Sequence, residues 1–160
     1  MDETERRRYV AVVGAGDPGT DTDRLAYEVG RLLASRGAVL VCGGLTGVME
    51  HACRGAKDGG GTTVGILPST DKRHANPHVD VAIATGMGEM RNALIVRTAD
   101  AVIAIGGGFG TLSEIAFALK LGRPVFGLST WDLERARPGD GGVVPVDTPG
   151  EAVRKAMHST

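Results

Sequence analysis

Short apolar runs alternate with stretches of helical periodicity along the whole chain. The first run, Tyr9–Val13, precedes apolar residues at the three- and four-residue spacing of an amphipathic helix, which are Leu25, Val29, Leu32 and Leu33. Because strands that alternate with helices form βαβ units, the chain is expected to fold around a parallel sheet buried on both faces. We therefore predict a single α/β domain of doubly wound, Rossmann-like type, with a mostly parallel sheet and helices on both faces.

The later elements repeat the same order. Further strands are predicted at Val39–Cys42, Thr63–Leu67, Val79–Ala84, Ala101–Ile105, Val125–Leu128 and Val143–Val146. Helices are predicted from about Gly47 to Lys57, from Gly88 to Thr98, from Thr111 to Leu121, and over the C-terminal residues. Polar loops are expected at residues 72–78 and 137–142.

Two of the helices carry recognisable end signals. Asp21 or Thr22 is the predicted N-cap of the first helix, and Gly37 is its predicted stop. The segment Thr148–Glu151 resembles a capping box with proline at the first helical position, which predicts the start of the last helix.

Length and composition fit one domain with its own core. A chain of 160 residues buries roughly 68–70% of the surface that it exposes when unfolded. We expect a flexible tail at residues 1–8 and a nucleotide-binding domain at residues 9–158. The chain has 25 glycines but only six Phe, Tyr and Trp residues, which predicts many close backbone approaches and directs attention to the glycines.

Charge and hydropathy exclude several classes of function. With a formal net charge of −1, the chain lacks the positive electrostatic field of a general nucleic-acid binder. No run reaches the ~18 apolar residues of a membrane span. The N-terminus carries three acids, and Gly14 and Gly16 interrupt the apolar run that follows, which is not typical of a signal peptide. Cys42 and Cys53 lack the spacing of a metal-binding pair and are expected to be reduced and partly buried. We expect a cytoplasmic protein without a nucleic-acid or membrane partner.

Three glycine-rich turns follow predicted strands, where open α/β sheets bind their ligands. Turn 1, residues 14–19, matches the G-x-G-x-x-G pattern of dinucleotide sites. However, Pro18 interrupts it, and the second strand ends at Cys42 without the acid that holds the ribose of NAD. A mononucleotide-binding turn or a plain tight turn is therefore favoured over an NAD site. Turn 2, residues 43–47, either lies against a ligand or allows close helix packing.

Turn 3, residues 106–111, carries the strongest signal. A buried strand leads into Gly-Gly-Gly-Phe-Gly-Thr and then into a helix, so free backbone N–H groups and the helix dipole favour bound phosphate. The Lys-Ser/Thr ending of a metal-assisted NTPase loop is absent. The candidate phosphate-binding or nucleotide-binding residues of the three turns are Gly14, Gly16, Gly43, Gly44, Gly107, Gly108, Gly110 and Thr111.

Two further strings of residues carry a family resemblance. Gly-Met-Gly-Glu-Met-Arg-Asn at 86–92 and Gly-Thr-Leu-Ser-Glu-Ile-Ala at 110–116 resemble the Lonely guy superfamily, once named lysine decarboxylases. The resemblance runs from Tyr9 to the last helix, and it is greatest to the branch that contains the molybdenum-cofactor carrier proteins. It implies a Rossmann-like fold, binding of a small phosphorylated ligand, no resident cofactor, and a homodimer or larger homo-oligomer formed through the helix of Arg91.

The resemblance also implies two catalytic residues. Enzymes of the superfamily are phosphoribohydrolases that cleave the base from nucleoside 5′-monophosphates, and Arg91 and Glu114 match their arginine and glutamate by motif. Gly106 replaces the enzymes' proline, and Asn92 replaces a basic residue. Two functions therefore stay open, which are a phosphoribohydrolase and a carrier of molybdenum cofactor or a related phosphorylated ligand.

Structural alternatives exist for the candidate side chains. Thr111 and Glu114 fit a capping box, in which the glutamate would only cap its own helix. Arg91 lies near the edge of an apolar stripe, where arginine is often a solvated or interface residue. His74 and His78 are separated by Pro77 and are expected in a loop, and Cys53 and His51 are expected to pack on a helix, so no metal site is predicted. Trp131 is expected to pack after the last central strand.

Overall fold

The computed structural model describes residues 6–17, 19–133 and 141–160, in which seven strands form one parallel sheet. The strands are β1 (Tyr9–Gly14), β2 (Val39–Cys42), β3 (Thr62–Leu67), β4 (Val81–Ala84), β5 (Ala101–Ile105), β6 (Val125–Leu128) and β7 (Val143–Pro145). Their order across the sheet is β4-β3-β2-β1-β5-β6-β7, and every neighbouring pair is parallel. The predicted doubly wound α/β fold is confirmed.

Helices cover both faces of the sheet. They are α1 (Thr20–Ser35), α2 (Val48–Asp58), α3 (Asn92–Thr98), α4 (Phe109–Lys120) and α5 (Pro149–His158). Alternate residues of β1 enter two separate cores, because side chains along a strand point to opposite faces. Val10 and Val12 pack with α1, α2 and α5, whereas Ala11 and Val13 pack with α3 and α4.

The direction of the chain reverses at the centre of the sheet. From β1 the chain proceeds outward through β2, β3 and β4, and it then returns to place β5 on the other side of β1. A reversal of this kind opens a crevice at the carboxyl ends of the two central strands. Turn 1 follows β1 and turn 3 follows β5, so the fold brings these two turns to the same crevice.

Two glycines allow the backbones of α1 and α2 to touch. A Cβ atom on Gly30 would lie 1.9 Å from the Ala52 carbonyl oxygen, and one on Gly55 would lie 2.0 Å from the Tyr27 carbonyl oxygen. Distances below van der Waals contact leave no room for any side chain at either position. Part of the high glycine content therefore serves helix packing.

Several predicted helix ends require correction. The N-cap of α1 is Gly19, so the prediction of Asp21 or Thr22 as the cap is wrong, because both lie inside the first turn. Helix α4 begins at Phe109 rather than Thr111, with Gly108 as N-cap. The segment predicted as one helix from Gly88 is a 3-10 turn, Gly88–Arg91, which continues into α3.

Other predicted ends agree with the structure. Gly37, at φ +72°, follows the last turn of α1 as the predicted stop. Thr148 caps α5 by accepting a hydrogen bond from the Glu151 N–H at 3.2 Å. Residues 1–5 of the predicted tail, Pro18 and residues 134–140, which include the first part of the loop predicted at 137–142, lie outside the described residues. In the described part of the chain, no helix is long and apolar enough to cross a membrane.

Candidate functional site

A cavity of about 330 Å³ lies at the crevice between turn 1 and the start of α4. We call this cavity the cleft. Its walls combine backbone from the two turns with side chains from the 3-10 turn and from α4. The residues that line it are Gly14, Ala15, Gly16, Asp17, Leu45, Met49, Pro68, Glu89, Arg91, Asn92, Gly108, Gly110, Thr111 and Glu114.

Turn 3 presents the start of α4 to the cleft. The first N–H groups of a helix have no acceptor within the helix, and Gly108 has no side chain that could cap them. No described atom lies within 4 Å of a Cβ position built on Gly108 or Gly110, so both glycines keep this wall open. Gly107 has a different role, because it has φ +105° and a Cβ there would lie 2.2 Å from Thr111 Oγ1.

Turn 1 forms the opposite wall of the cleft. Gly14 fits tightly between strand β5 and α2, since its Cβ would lie 2.4 Å from the Ile105 carbonyl oxygen and 2.6 Å from Val48 Cγ1. Thr46 Oγ1 donates to the Gly16 carbonyl at 2.8 Å, and the Val48 N–H donates to the Ala15 carbonyl at 3.0 Å. Turn 2 and α2 thus hold turn 1 in position.

The first two glycines of turn 2 lie behind the cleft, whereas Leu45 of the same turn lines it. Gly43 and Gly44 are not among the residues that line it. A Cβ on Gly43 would lie 2.7 Å from Arg91 Nη2, and Gly44, at φ +75°, packs against Gly65 and Leu67. Of the eight glycine-turn candidates, the structure brings Gly14, Gly16, Gly108, Gly110 and Thr111 to the cleft, and it places Gly43, Gly44 and Gly107 outside its lining.

Arg91 is a buried cation in the cleft wall, with 7% of its surface exposed. Its Nε donates to the Ile66 carbonyl at 2.9 Å, and its Nη1 donates to Asn92 Oδ1. Burial lowers the pKa of Arg91 below its ordinary value, and the charge of Glu114 partly opposes that change. Backbone and amide acceptors thus fix the guanidinium. The alternative interpretation of Arg91 as a solvated surface residue would require an exposed guanidinium, which the structure does not show.

Glu114 is the buried acid of the cleft and is also 7% exposed. Burial raises its pKa to about 8, although the positive charge of Arg91 acts in the opposite direction. Among the described residues, no direct ion pair joins it to Arg91. The capping-box alternative is wrong, because α4 begins at Phe109 and Glu114 therefore lies in its second turn.

Asn92 is a site residue that the sequence motifs identified only as a difference from the superfamily's enzymes, which have a basic residue at this position. It accepts from Arg91 Nη1, and its Nδ2 donates to Ser113 Oγ at 3.1 Å, which in turn donates to the Gly110 carbonyl at 2.7 Å. This chain of contacts connects the guanidinium to the start of α4. The sequence motifs also did not predict that Asp17 and Glu89 line the cleft. Asp17 lies within turn 1 and Glu89 within the string at 86–92, and these positions were the signal that could have identified them.

Trp131 holds the outer side of turn 3. Its Nε1 donates to the Gly108 carbonyl at 3.1 Å, and its ring centroid lies 6.0 Å from that of Phe109. Trp131 follows β6, as predicted, and it packs against the core formed with α3 and α4.

The remaining polar candidates lie away from the cleft lining. His74 ends a short 3-10 helix, Lys72–His74, within the segment predicted as a loop, and His78 follows it. The Nε2 atom of His51, on α2, lies 3.3 Å from Asp23 Oδ2. Cys42 and Cys53 are both free and buried, as predicted. Within residues 6–17, 19–133 and 141–160, no group of three or more potential metal-ligating side chains is found.

Comparison with known proteins gives one family and several similar structures. The profile of the SLOG cluster4 family matches residues 7–153. The molybdenum cofactor binding protein of Rippkaea orientalis has a TM-score of 0.87 and 38% identity, and the match covers 96% of this chain and 97% of that one. The molybdenum cofactor carrier protein of Chlamydomonas reinhardtii has a TM-score of 0.82 and 31% identity, with 95% and 97% covered.

A more distant match is to an enzyme. The cytokinin riboside 5′-monophosphate phosphoribohydrolase LOG of Oryza sativa is 39% identical over 97 residues, which are 56% of this chain but 38% of the enzyme. The chain thus spans about two fifths of that relative's length. Taken with the family profile and the two structures, these matches show that the chain belongs to the SLOG cluster4 family of the Lonely guy-like superfamily, near its molybdenum-cofactor carrier branch.

Proposed function

We propose that the cleft binds the phosphate of a small phosphorylated ligand at the start of α4. The observation that carries this proposal is the open backbone wall at Gly108 and Gly110, where helix N–H groups without intrahelical acceptors face a cavity of about 330 Å³. Small-molecule pockets measure roughly 300–1,000 Å³, so the cleft suits one such ligand.

The organic part of the ligand would lie towards Arg91 and Glu114. A fixed guanidinium and a carboxyl group whose pKa is about 8 are well suited to acid–base chemistry near neutral pH. This pairing supports hydrolysis of the N-glycosidic bond of a nucleoside 5′-monophosphate as the first candidate function.

In that reaction, protonated Glu114 would give its proton to the departing base as the bond from the base nitrogen to the sugar carbon breaks. The resulting carboxylate would then stabilise the positive charge on the sugar and take a proton from the attacking water. The products are the free base and ribose 5-phosphate, and Glu114 returns to its protonated form. Arg91 would orient the ligand and stabilise negative charge.

A carrier function is the second candidate. Two proteins named for binding or carrying molybdenum cofactor match this chain over 95–96% of its length, whereas the phosphoribohydrolase match covers 56%. The same phosphate site would then retain molybdenum cofactor or a related phosphorylated ligand without breaking a bond.

Product analysis with a panel of nucleoside 5′-monophosphates tests these functions. Hydrolysis predicts equal amounts of free base and ribose 5-phosphate. Binding of AMP without release of adenine would instead favour the carrier, which predicts molybdenum and a pterin in protein isolated from a host that makes the cofactor. AMP should bind at least about tenfold more tightly than adenosine, because the phosphate makes the charge-assisted contacts. Equal affinities in calorimetry would contradict the phosphate site.

We also propose that two copies associate through the α3 and α4 side. Met90, which precedes Arg91, is 74% exposed, and Phe109 and Phe117 on α4 are also exposed. Exposed apolar side chains on the 3-10 turn and on α4 support a protein–protein contact. Light scattering should give at least twice the monomer mass, and a monomer at micromolar concentration would refute the proposal.

A further inference from the structure

Cys42 and Cys53 form a pair of buried thiols beside the cleft. Cys42 is the last residue of β2, Cys53 lies on α2, and their Sγ atoms are 3.5 Å apart. Neither side chain is exposed. A disulfide bond needs about 2.05 Å between the two sulfurs, so the sulfurs must approach each other by about 1.5 Å, which brings Cys42 towards α2.

The surroundings of the two sulfurs differ. The Gly44 N–H donates to Cys42 Sγ at 3.3 Å, and in the contact between the two thiols either sulfur can be the donor. Hydrogen bonding from Cys53 lowers the pKa of Cys42, whereas the same contact and burial raise the pKa of Cys53. The positive charge of Arg91 also favours the Cys42 thiolate, and the charge of Glu114 disfavours it. A lowered pKa gives Cys42 the larger share of the reactive thiolate form.

The pair is connected to the cleft through turn 2. Gly43 follows Cys42 directly, and it packs so closely on Arg91 that a Cβ there would lie 2.7 Å from Nη2. Movement of Cys42 towards α2 would therefore shift the backbone against which the guanidinium rests.

We propose that Cys42 and Cys53 form a reversible redox site that a small peroxide converts into an intramolecular disulfide, and that this change weakens ligand binding through turn 2 and Arg91. The Cys42 thiolate attacks one peroxide oxygen, the O–O bond breaks, and a sulfenic acid and hydroxide form. The Cys53 sulfur then attacks the Cys42 sulfur, the S–O bond breaks, and the hydroxyl group leaves as water with the proton of the Cys53 thiol. The hydroxide from the first step becomes the other water by taking the proton that Cys42 lost on ionisation. Overall, two thiols and one hydrogen peroxide give one disulfide and two waters.

Mass spectrometry tests the redox site without any ligand. Native reduced protein is treated with hydrogen peroxide, blocked with iodoacetamide in denaturant and digested. The expected results are two fewer alkylated thiols per chain, a linked peptide that contains Cys42 and Cys53, and reversal by dithiothreitol. Two alkylated thiols per chain after treatment, or a disulfide between two chains, would overturn the proposal.

Single variants separate the roles of the two sulfurs. In C53S, Cys42 should stop at the sulfenic acid and become labelled by dimedone, whereas in C42S the remaining Cys53 should stay unlabelled. If dimedone labels Cys53 in C42S as fast as it labels Cys42 in C53S, the assigned roles are contradicted. Thermal unfolding shows whether each variant folds, and the peptide map of the unmodified protein decides the proposal even if one does not.

The effect on the cleft rests on the proposed phosphate-binding function and needs its own measurement. AMP titrations of the reduced and oxidised protein should differ at least about fivefold in affinity, and dithiothreitol should restore the reduced value. Equal affinities would overturn the connection to Arg91. If AMP binds neither form, the proposed function fails, while the peptide map still decides whether the disulfide forms.

Discussion

Turn 2 and turn 3 have similar sequences but opposite surroundings. Each follows a buried strand and places two or more glycines before a helix. At Gly108 in turn 3, no described atom lies within 4 Å of a Cβ position, whereas in turn 2 a Cβ on Gly43 or Gly44 would lie 2.7 Å from a neighbouring side chain. A glycine-rich turn can therefore serve a ligand or serve packing, and the space around the missing Cβ distinguishes the two.

The largest expected effect is a loss of turnover when Glu114, on the helix that follows turn 3, is changed. Glu114→Gln should reduce turnover of the best monophosphate at least about 100-fold, because the amide cannot give up a proton. The fold and AMP affinity should persist, since glutamine has nearly the same shape. Steady-state base release measures the effect. Glu89→Gln, which changes an exposed carboxylate that lines the same cleft, is the control, and equal losses in the two variants would contradict the role of Glu114.

The next effect concerns packing at turn 2. Gly44→Ala should lower the free energy of unfolding by about 2 kcal/mol, because a residue other than glycine at positive φ costs about 1–2 kcal/mol and the new Cβ meets Leu67 Cδ2 at 2.7 Å. Gly60→Ala is the matched control, since Gly60 has φ +76° and no described atom within 4 Å of the Cβ position. Urea titrations should give a smaller loss for Gly60→Ala. Equal losses would mean that only the backbone conformation matters at turn 2.

Turn 3 should respond in the opposite way. Gly108→Val should weaken AMP binding at least about tenfold, because the side chain would occupy the space proposed for the phosphate. Stability should fall by only about 1 kcal/mol, because valine adopts the extended backbone of Gly108 but is a poorer N-cap than glycine. Calorimetry and urea titration of the same preparation measure both quantities. A variant that binds AMP normally would remove turn 3 from the proposed site.

The last effect is a gradual change of stability with pH. The pKa of Glu114 rises from 4.5 in its ordinary state to about 8 in the folded protein, so between these values the folded chain binds more protons than the unfolded chain. The free energy of unfolding should therefore fall as pH rises through this window, by at most about 1.4 kcal/mol per pH unit. Glu114→Gln should flatten this part of the stability curve. An unchanged slope would show that the carboxyl is not held neutral by burial.

Local sequence predicted the strands better than the site. Each strand of a parallel sheet buried on both faces is a continuous apolar run, so β2, β5 and β6 were predicted to the residue. The start of α4 was missed because Phe109 is 82% exposed and gives no apolar periodicity. The motifs identified Arg91 and Glu114, but the Arg91 bond to Ile66 spans 25 residues, and the neutral state of Glu114 depends on burial among distant elements. Neither property can be predicted from a local sequence pattern, because both depend on residues that are distant along the chain.

The contact between Trp131 and turn 3 has a practical consequence. Trp131 is the single tryptophan of the chain, and its indole N–H donates to the carbonyl of Gly108, the N-cap of α4. Indole emission changes with the polarity and hydrogen bonding around the ring, so the protein carries an intrinsic fluorophore one hydrogen bond away from the proposed phosphate position. Occupancy of the cleft can therefore be followed optically in the unlabelled protein, without a coupled assay or a modified ligand.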